Sequence, residues 1–141
     1  MKWVTWKNIG IDRMACAWLI LKRIDPTAEF AFVVQGYPTP EDYEPFDIPG
    51  VHLSHRLGHC TFHTMLQEYQ LDDPVLERIA SIIDDADLVQ DITLEPIAYG
   101  LDAICEGLRL ISDDDHAAVV HGCTIYDALY ARLALEWKGK S

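Results

Sequence analysis

The chain has 141 residues, half of them hydrophobic, and a formal net charge of −12. A chain of this length buries about two-thirds of the surface that it exposes when unfolded, so we expect residues 1–141 to form a single domain. The strong negative charge repels DNA, RNA and anionic membranes, whose recognition depends on clustered lysine and arginine. We therefore expect no nucleic-acid partner and no membrane contact.

The first residues, the apolar runs and the cysteine spacing indicate the cellular compartment. The first residues lack the apolar core of a signal peptide, and the longest apolar run, residues 14–21, is far shorter than the roughly 20 residues of a membrane span. The four cysteines are widely spaced and resemble no secreted disulfide framework. These observations predict a protein of the reducing cytoplasm.

Hydrophobic periodicity predicts an α/β (α+β) domain, mostly helical, with about five helices around a small three-stranded sheet. Residues 3–6 predict a first strand, and the nearly all-apolar residues 14–24 predict a helix buried in the domain centre, with Asp12 as its cap. The apolar run at residues 30–34 predicts a central strand covered on both faces. Residues 51–55 predict the third strand, after an irregular, proline-rich loop.

Three further helical patterns and one short helix complete the chain. Thr61 is placed to cap the short helix, and Asp73 followed by Pro74 opens the next one. The helix after Pro96 should bury a stripe that includes Ile104. The last helix should bury Val119, Val120 and Tyr126 among others, and the acidic residues 113–115 suit its amino terminus.

A metal site is the first functional hypothesis, because residues 52–63 contain four of the six histidines and one cysteine. Imidazole and thiolate bind borderline transition metals such as zinc and iron. If a strand ends near His55 and a helix begins before His63, the two side chains can converge. No fixed zinc motif is matched, however. A strand and a helix that carry surface histidines therefore remain the alternative.

Carboxylates at residues 84–87 could complete such a site. Asp84, Asp85 and Asp87 lie near the predicted end of a helix, where negative charge opposes the helix dipole and a bound cation would remove the conflict. We expect His55, His63 and a carboxylate from Asp84 or Asp87 to bind Zn²⁺ or Fe²⁺ and to leave one position open for water or an oxyanion. The alternative is a solvated acidic helix end.

Several other residues are secondary candidates. His59, Cys60, His116 and Asp127 carry suitable ligand atoms but have less support from spacing. Asp12, Arg13 and Arg56 could orient an anionic ligand, since the overall charge disfavours a free oxyanion unless a metal or a local arginine offsets it. We therefore predict a small-molecule or oxyanion ligand, and the sequence leaves the oligomeric state open.

Ten short motifs, in order, resemble the chromate-resistance domain at the C-terminal end of ChrB-type proteins. They are WVT at residues 3–5, IDRMAC at 11–16, WLI at 18–20, IDP at 24–26, FDIPG at 46–50, CTF at 60–62, LDDP at 71–74, AD at 86–87, DDH at 114–116 and YDALY at 126–130. The resemblance implies a role in bacterial chromate resistance, where such proteins are regulators of an efflux transporter. It identifies no reaction.

Two classes of function follow. In the first, the domain is a metal-dependent sensor or enzyme that acts on an oxyanion or small molecule. In the second, it is a regulatory or protein-interaction module that needs no metal. Thiol-based reduction is a weaker third reading, because the cysteines are far apart in sequence and only Cys60 lies beside the histidines.

Overall fold

The computed structural model describes residues 1–87 and 95–139, which form a three-stranded parallel sheet and five α-helices. The middle strand is β1 (Lys2–Trp6), flanked by β2 (Glu29–Val33) on one side and β3 (Glu44–Pro45) on the other. Trp3, Val4 and Thr5 of β1 are completely buried. The predicted α/β class, with five helices and a three-stranded sheet, is confirmed.

The predicted strand at residues 30–34 exists, but its central position was wrong. Strand β2 lies at the edge of the sheet, and its residues after Glu29 are only half-buried. Its apolar run arises because Phe30 and Phe32 stack on each other with ring centroids 6.4 Å apart. Phe30 also packs edge-on against Phe46, and Phe32 against His116. Local aromatic contacts therefore produced a pattern typical of a central strand.

The predicted strand at residues 51–55 was also wrong. Leu53 forms one isolated bridge with Phe46, and the third strand is β3. The chain turns at Gly50, whose φ of 89° is accessible to glycine, and the N–H of Asp47 then donates to the carbonyl of Leu53 at 2.7 Å. This tight turn consumes the backbone groups that a strand would use.

The central element is α1 (Ile11–Leu19), which continues as a π-helical turn, Ile20–Ile24. It packs against the other four helices, and eight of its nine residues are buried, as predicted. Trp18 lies among aromatic rings, with the Tyr126 ring centroid 5.6 Å away and Phe62 at 6.4 Å. One prediction here was wrong, since Gly10 occupies the N-cap position of α1 and Asp12 lies inside its first turn.

The remaining helices are α2 (Thr61–Glu68), α3 (Pro74–Asp87), α4 (Ile97–Ile111) and α5 (Asp115–Gly139). Asp73 caps α3 as predicted, because its carboxylate accepts the N–H of Val75 at 2.9 Å. The N-cap of α2 is Cys60 rather than Thr61. Ile104 and Val120, predicted to be buried, are exposed because Cys105 and Val119 occupy the inward positions of their helices.

The predicted role of the acidic residues at the start of α5 is confirmed. Asp114 accepts the N–H of Ala117 at 2.9 Å, which satisfies a donor in the first turn. Asp115 accepts the N–H groups of Asn8 at 3.0 Å and Ile9 at 3.1 Å. The start of α5 therefore holds the turn between β1 and α1, next to the site described below. Among the described residues, none of the helices is both long and apolar enough to cross a membrane.

Candidate metal centre

Asp12 is the most deeply buried member of the candidate site, with 3% of its surface exposed. Its carboxylate faces the amino terminus of α2, where it accepts the N–H groups of Thr61 at 2.9 Å and Phe62 at 3.0 Å. Burial raises the pKa of Asp12 to about 6, although these hydrogen bonds favour the ionised form. The helix end therefore positions a carboxylate that has no direct access to bulk water.

His55 brings its Nε2 atom to two carboxylates at once. This nitrogen lies 3.1 Å from Asp12 Oδ2 and 3.0 Å from Asp87 Oδ2. The hydrogen bond to Asp12 is the main reason that the pKa of His55 rises to about 9. Without a metal, the ring is therefore protonated at neutral pH and its single charge offsets part of the charge of the two carboxylates.

Asp87 is the last described residue of α3, and its side chain reaches back to His55. The dipole of a helix opposes a carboxylate near its carboxyl end. Burial and the charge of Asp47 also raise the pKa of Asp87, although His55 and Arg13 partly offset them. A cation beside Asp87 relieves both effects, and the imidazolium of His55 supplies that cation in the metal-free protein.

The three side chains together have the geometry of a metal site. One ligand atom from each of Asp12, His55 and Asp87 lies within 4.8 Å of the others. Ligand atoms about 2.0–2.2 Å from a common tetrahedral zinc ion are roughly 3.4 Å apart, a few tenths of an ångström more than the distances from His55 Nε2 to both carboxylates. One imidazole and two carboxylates suit zinc, iron or manganese. The donor set therefore fits a divalent transition metal.

Two arginines lie next to these residues. Arg13 donates to the backbone carbonyl of Asp47 at 3.0 Å and forms an ion pair with its carboxylate at 3.2 Å. Arg109 of α4 lines a cavity of about 270 Å³ together with Arg13 and the three candidate ligands. A second cavity, about 320 Å³, lies on the side of His55 that Trp6 and Pro49 line. The site is thus open to a small ligand and has positive charge at its edge.

Comparison with known proteins gives the family. The family model described as the C-terminal domain of ChrB matches residues 3–133. The chain belongs to the ChrB C-terminal domain family. It is similar to Protein ChrB of Cupriavidus metallidurans, with 31% identity over 136 residues, which cover 94% of this chain and 41% of that protein. The chain therefore spans about two-fifths of the length of this relative. No solved structure matches.

The family assignment confirms the resemblance to the chromate-resistance domain, and three ChrB-type motifs fall on the candidate centre. The motif at residues 11–16 supplies Asp12 and Arg13, and the motif at residues 46–50 supplies Asp47. The motif at residues 86–87 supplies Asp87. Segments far apart in the sequence of this ChrB-family domain therefore meet at one cluster of charged side chains.

The four predicted metal ligands lie at two places. His55 and Asp87 meet at the centre just described, whereas His63 and Asp84 line a separate pocket together with His59. Of the predicted orienting residues, Asp12 is itself a candidate ligand and Arg13 lies beside it. Arg56 is turned towards Glu68, with which it forms an ion pair at 2.8 Å.

The other secondary candidates have structural contacts elsewhere. Cys60 is fully buried and its thiol donates to the carbonyl of Ala80 at 3.7 Å, while burial raises its pKa far above the usual range. A thiol in this environment is a poor nucleophile. His116 packs edge-on against Phe32 at 4.9 Å, and Asp127 accepts the indole N–H of Trp18 at 2.9 Å.

Sequence reasoning missed two residues at the centre. Asp47 accepts the hydroxyl of Thr61 at 2.6 Å and lies 3.9 Å from His55 Nε2, in a backbone conformation with φ of 51°. An aspartate just before a proline turn was the available signal, since aspartate tolerates the left-handed region. Arg109 comes from a helix almost one hundred residues after Asp12, and no local pattern distinguishes it from a surface arginine.

Proposed function

We propose that this ChrB-family domain binds a divalent transition metal, zinc or iron, through Asp12, His55 and Asp87. The observation that carries the proposal is the position of His55 Nε2, within 3.1 Å of a carboxylate oxygen from each aspartate. A metal would take the place of the proton that this nitrogen carries in the metal-free protein. Two carboxylates would balance the charge of a divalent ion.

The ligand proposed for the metal is an oxyanion. Three protein ligands leave at least one coordination position open for water or an anion. Arg109 and Arg13 line the adjacent cavity and supply the positive charge that the strongly negative chain otherwise lacks. Within a chromate-resistance family, chromate is the oxyanion to test first. The domain would act as a metal-dependent sensor or enzyme in that response.

Metal binding is tested by equilibrium dialysis of chelator-treated protein against Zn²⁺ and, without oxygen, against Fe²⁺. Asp87→Asn removes one ligand charge at a partly exposed position, and we expect it to weaken binding at this centre at least tenfold. Asp42→Asn is the matched control, because this exposed carboxylate pairs only loosely with Lys2 at 3.5 Å. Equal affinity of Asp87→Asn and parent would mean that Asp87 is not a ligand, and a parent protein that binds no metal at this centre would mean that the three residues form only a structural ion pair.

A further inference from the structure

A second group of histidines lies outside the centre formed by Asp12, His55 and Asp87. His59 precedes α2 and His63 lies in its first turn, and their rings stack with centroids 4.0 Å apart and planes inclined by 20°. They line the largest of the cavities described here, about 440 Å³, with Asp84 and Glu77 of α3. The centre described above uses none of these four side chains.

Asp84 fixes the orientation of His59. Its Oδ2 atom lies 2.7 Å from His59 Nδ1, while its Oδ1 atom accepts the backbone N–H of Cys60 at 2.8 Å. A carboxylate held in this way selects the imidazole tautomer with hydrogen on Nδ1, which leaves the Nε2 lone pair available. Metal-bound histidines commonly have such a carboxylate behind them. Asp84 would therefore orient His59 for a metal ion rather than bind that ion itself.

The second histidine is suited to bind the same ion. The two ring centroids lie 4.0 Å apart, and tetrahedral zinc needs two imidazole nitrogens about 3.4 Å apart. Rotation of the two side chains would bring one nitrogen of each ring to that separation. Burial and the neighbouring His59 lower the pKa of His63, which favours the neutral imidazole that a metal requires.

The charges around this pocket select a cation. Three carboxylates line it, those of Asp72, Glu77 and Asp84, and none of its described lining residues is lysine or arginine. The positive end of the α2 dipole opposes a cation here, but the Asp84 carboxylate already receives the N–H of Cys60 and offsets part of that field. The cavity beside His55 differs, because two arginines line it.

We infer that His59 and His63 form a second binding site for a divalent transition metal, with Asp84 as the positioning carboxylate. Asp84 and Asp87 lie one helical turn apart on α3. The same helix would then serve both metal sites, with one aspartate at each.

The test is a count of bound zinc per chain, by equilibrium dialysis at pH 7.5 with Zn²⁺ as the only ligand. The parent should bind two ions, Asp87→Asn should retain the ion at His59 and His63, and the double substitution His59→Ala with His63→Ala should retain the ion at His55. Combining all three substitutions should leave no ion bound with comparable affinity. His52→Ala is the matched control, because His52 is exposed and contacts Glu68 instead.

The second site is overturned if Asp87→Asn protein binds zinc equally well with and without His59 and His63. Failure of the first site gives a different result, in which Asp87→Asn changes nothing and the histidine substitutions remove the only ion. If the histidine variants do not fold, ring ¹⁵N resonances of the parent protein decide. Zinc should shift both His59 and His63, and unshifted rings at saturating zinc would overturn the inference.

Discussion

Asp12 belongs to the first turn of α1, yet its carboxylate receives the backbone N–H of Thr61, the first residue of α2, at 2.9 Å. It receives the N–H of Phe62 in the same way at 3.0 Å. A side chain of one helix thus satisfies the free donors of another, 49 residues later in the chain. The contact fixes Asp12 for the candidate metal centre and also stabilises the junction of the two helices.

Asp12→Ala should therefore destabilise the metal-free protein. Both donors of α2 lose their acceptor in a buried place, and we expect a loss of about 1–3 kcal/mol in the free energy of unfolding. Urea denaturation followed by circular dichroism measures this loss. The control is Asp42→Ala, which removes an exposed carboxylate and should leave the midpoint unchanged. An Asp12→Ala midpoint equal to that of the parent would show that the capping contact contributes nothing.

His55 should titrate far above an ordinary histidine in the metal-free protein. Its folded-state pKa is about 9 against 6.5 for a free imidazole, because Asp12 holds the protonated ring by a hydrogen bond. The stabilisation from this charge is therefore complete below about pH 6.5 and is lost as the pH rises towards 9. NMR of the ring nitrogens measures the pKa, and Asp12→Asn should lower it. A His55 pKa close to 6.5 in the parent would refute this electrostatic description.

Arg109 should affect the oxyanion without affecting the metal. The guanidinium lines the cavity beside Asp12 and Asp87 and forms a long ion pair with Glu106, at 3.9 Å. We expect Arg109→Gln to leave zinc affinity within about twofold of the parent and to weaken chromate binding to the zinc-loaded protein at least fivefold. Calorimetric titration with zinc gives the first value, and titration of the zinc-loaded protein with chromate gives the second. Arg132→Gln is the control, since Arg132 is exposed on α5 and pairs with Glu136. Equal chromate affinity in the Arg109 and Arg132 variants would exclude Arg109 from the site.

Two helical glycines should respond to alanine in opposite directions. A Cβ atom at Gly122 of α5 would overlap the side chain of Met14 in α1, whereas a Cβ atom at Gly107 of α4 meets no atom within 4 Å. Gly122→Ala should cost about 1–3 kcal/mol of stability, because α1 and α5 must separate or repack. Gly107→Ala should stabilise the protein by about 0.5–1 kcal/mol, because alanine favours the helix. Thermal unfolding distinguishes them, and an unchanged Gly122→Ala protein would contradict the close packing.

Sequence reasoning predicted the helices better than the sheet for a physical reason. The face of α3 formed by Val75, Leu76 and Ile79 repeats with helical spacing, so the buried stripe is visible in the sequence. Strand β3 has two residues, one of them proline, and its place beside β1 depends on a turn that no periodicity reveals. The edge and the centre of the sheet could not be distinguished, because Phe30 and Phe32 of the edge strand also pack against the hydrophobic core.

The candidate centre was predicted only in part, for a related reason. His55 lies in a histidine-rich segment, and Asp87 lies at an acidic helix end. Composition therefore indicated His55 as a metal ligand, and the unfavourable helix dipole indicated Asp87. Which carboxylate meets which histidine depends on tertiary packing. Asp12 was read as a cap of its own helix, and the structure shows that it caps α2 and faces His55 instead. His63 and Asp84 lie at the neighbouring pocket because the turn before α2 directs His55 to Asp87 and His59 to Asp84, one turn earlier on α3.

The central claim is that Asp12, His55 and Asp87 bind one metal ion, and anomalous X-ray diffraction tests it most directly. Crystals grown with Zn²⁺ would be measured above and below the zinc absorption edge. We expect an anomalous peak about 2.0–2.2 Å from His55 Nε2, Asp12 Oδ2 and Asp87 Oδ2. A peak that is present at that place in parent crystals and missing from Asp87→Asn crystals would establish Asp87 as a ligand. Zinc-grown crystals with no anomalous density between these three side chains, and with His55 still hydrogen-bonded to both aspartates, would contradict the claim.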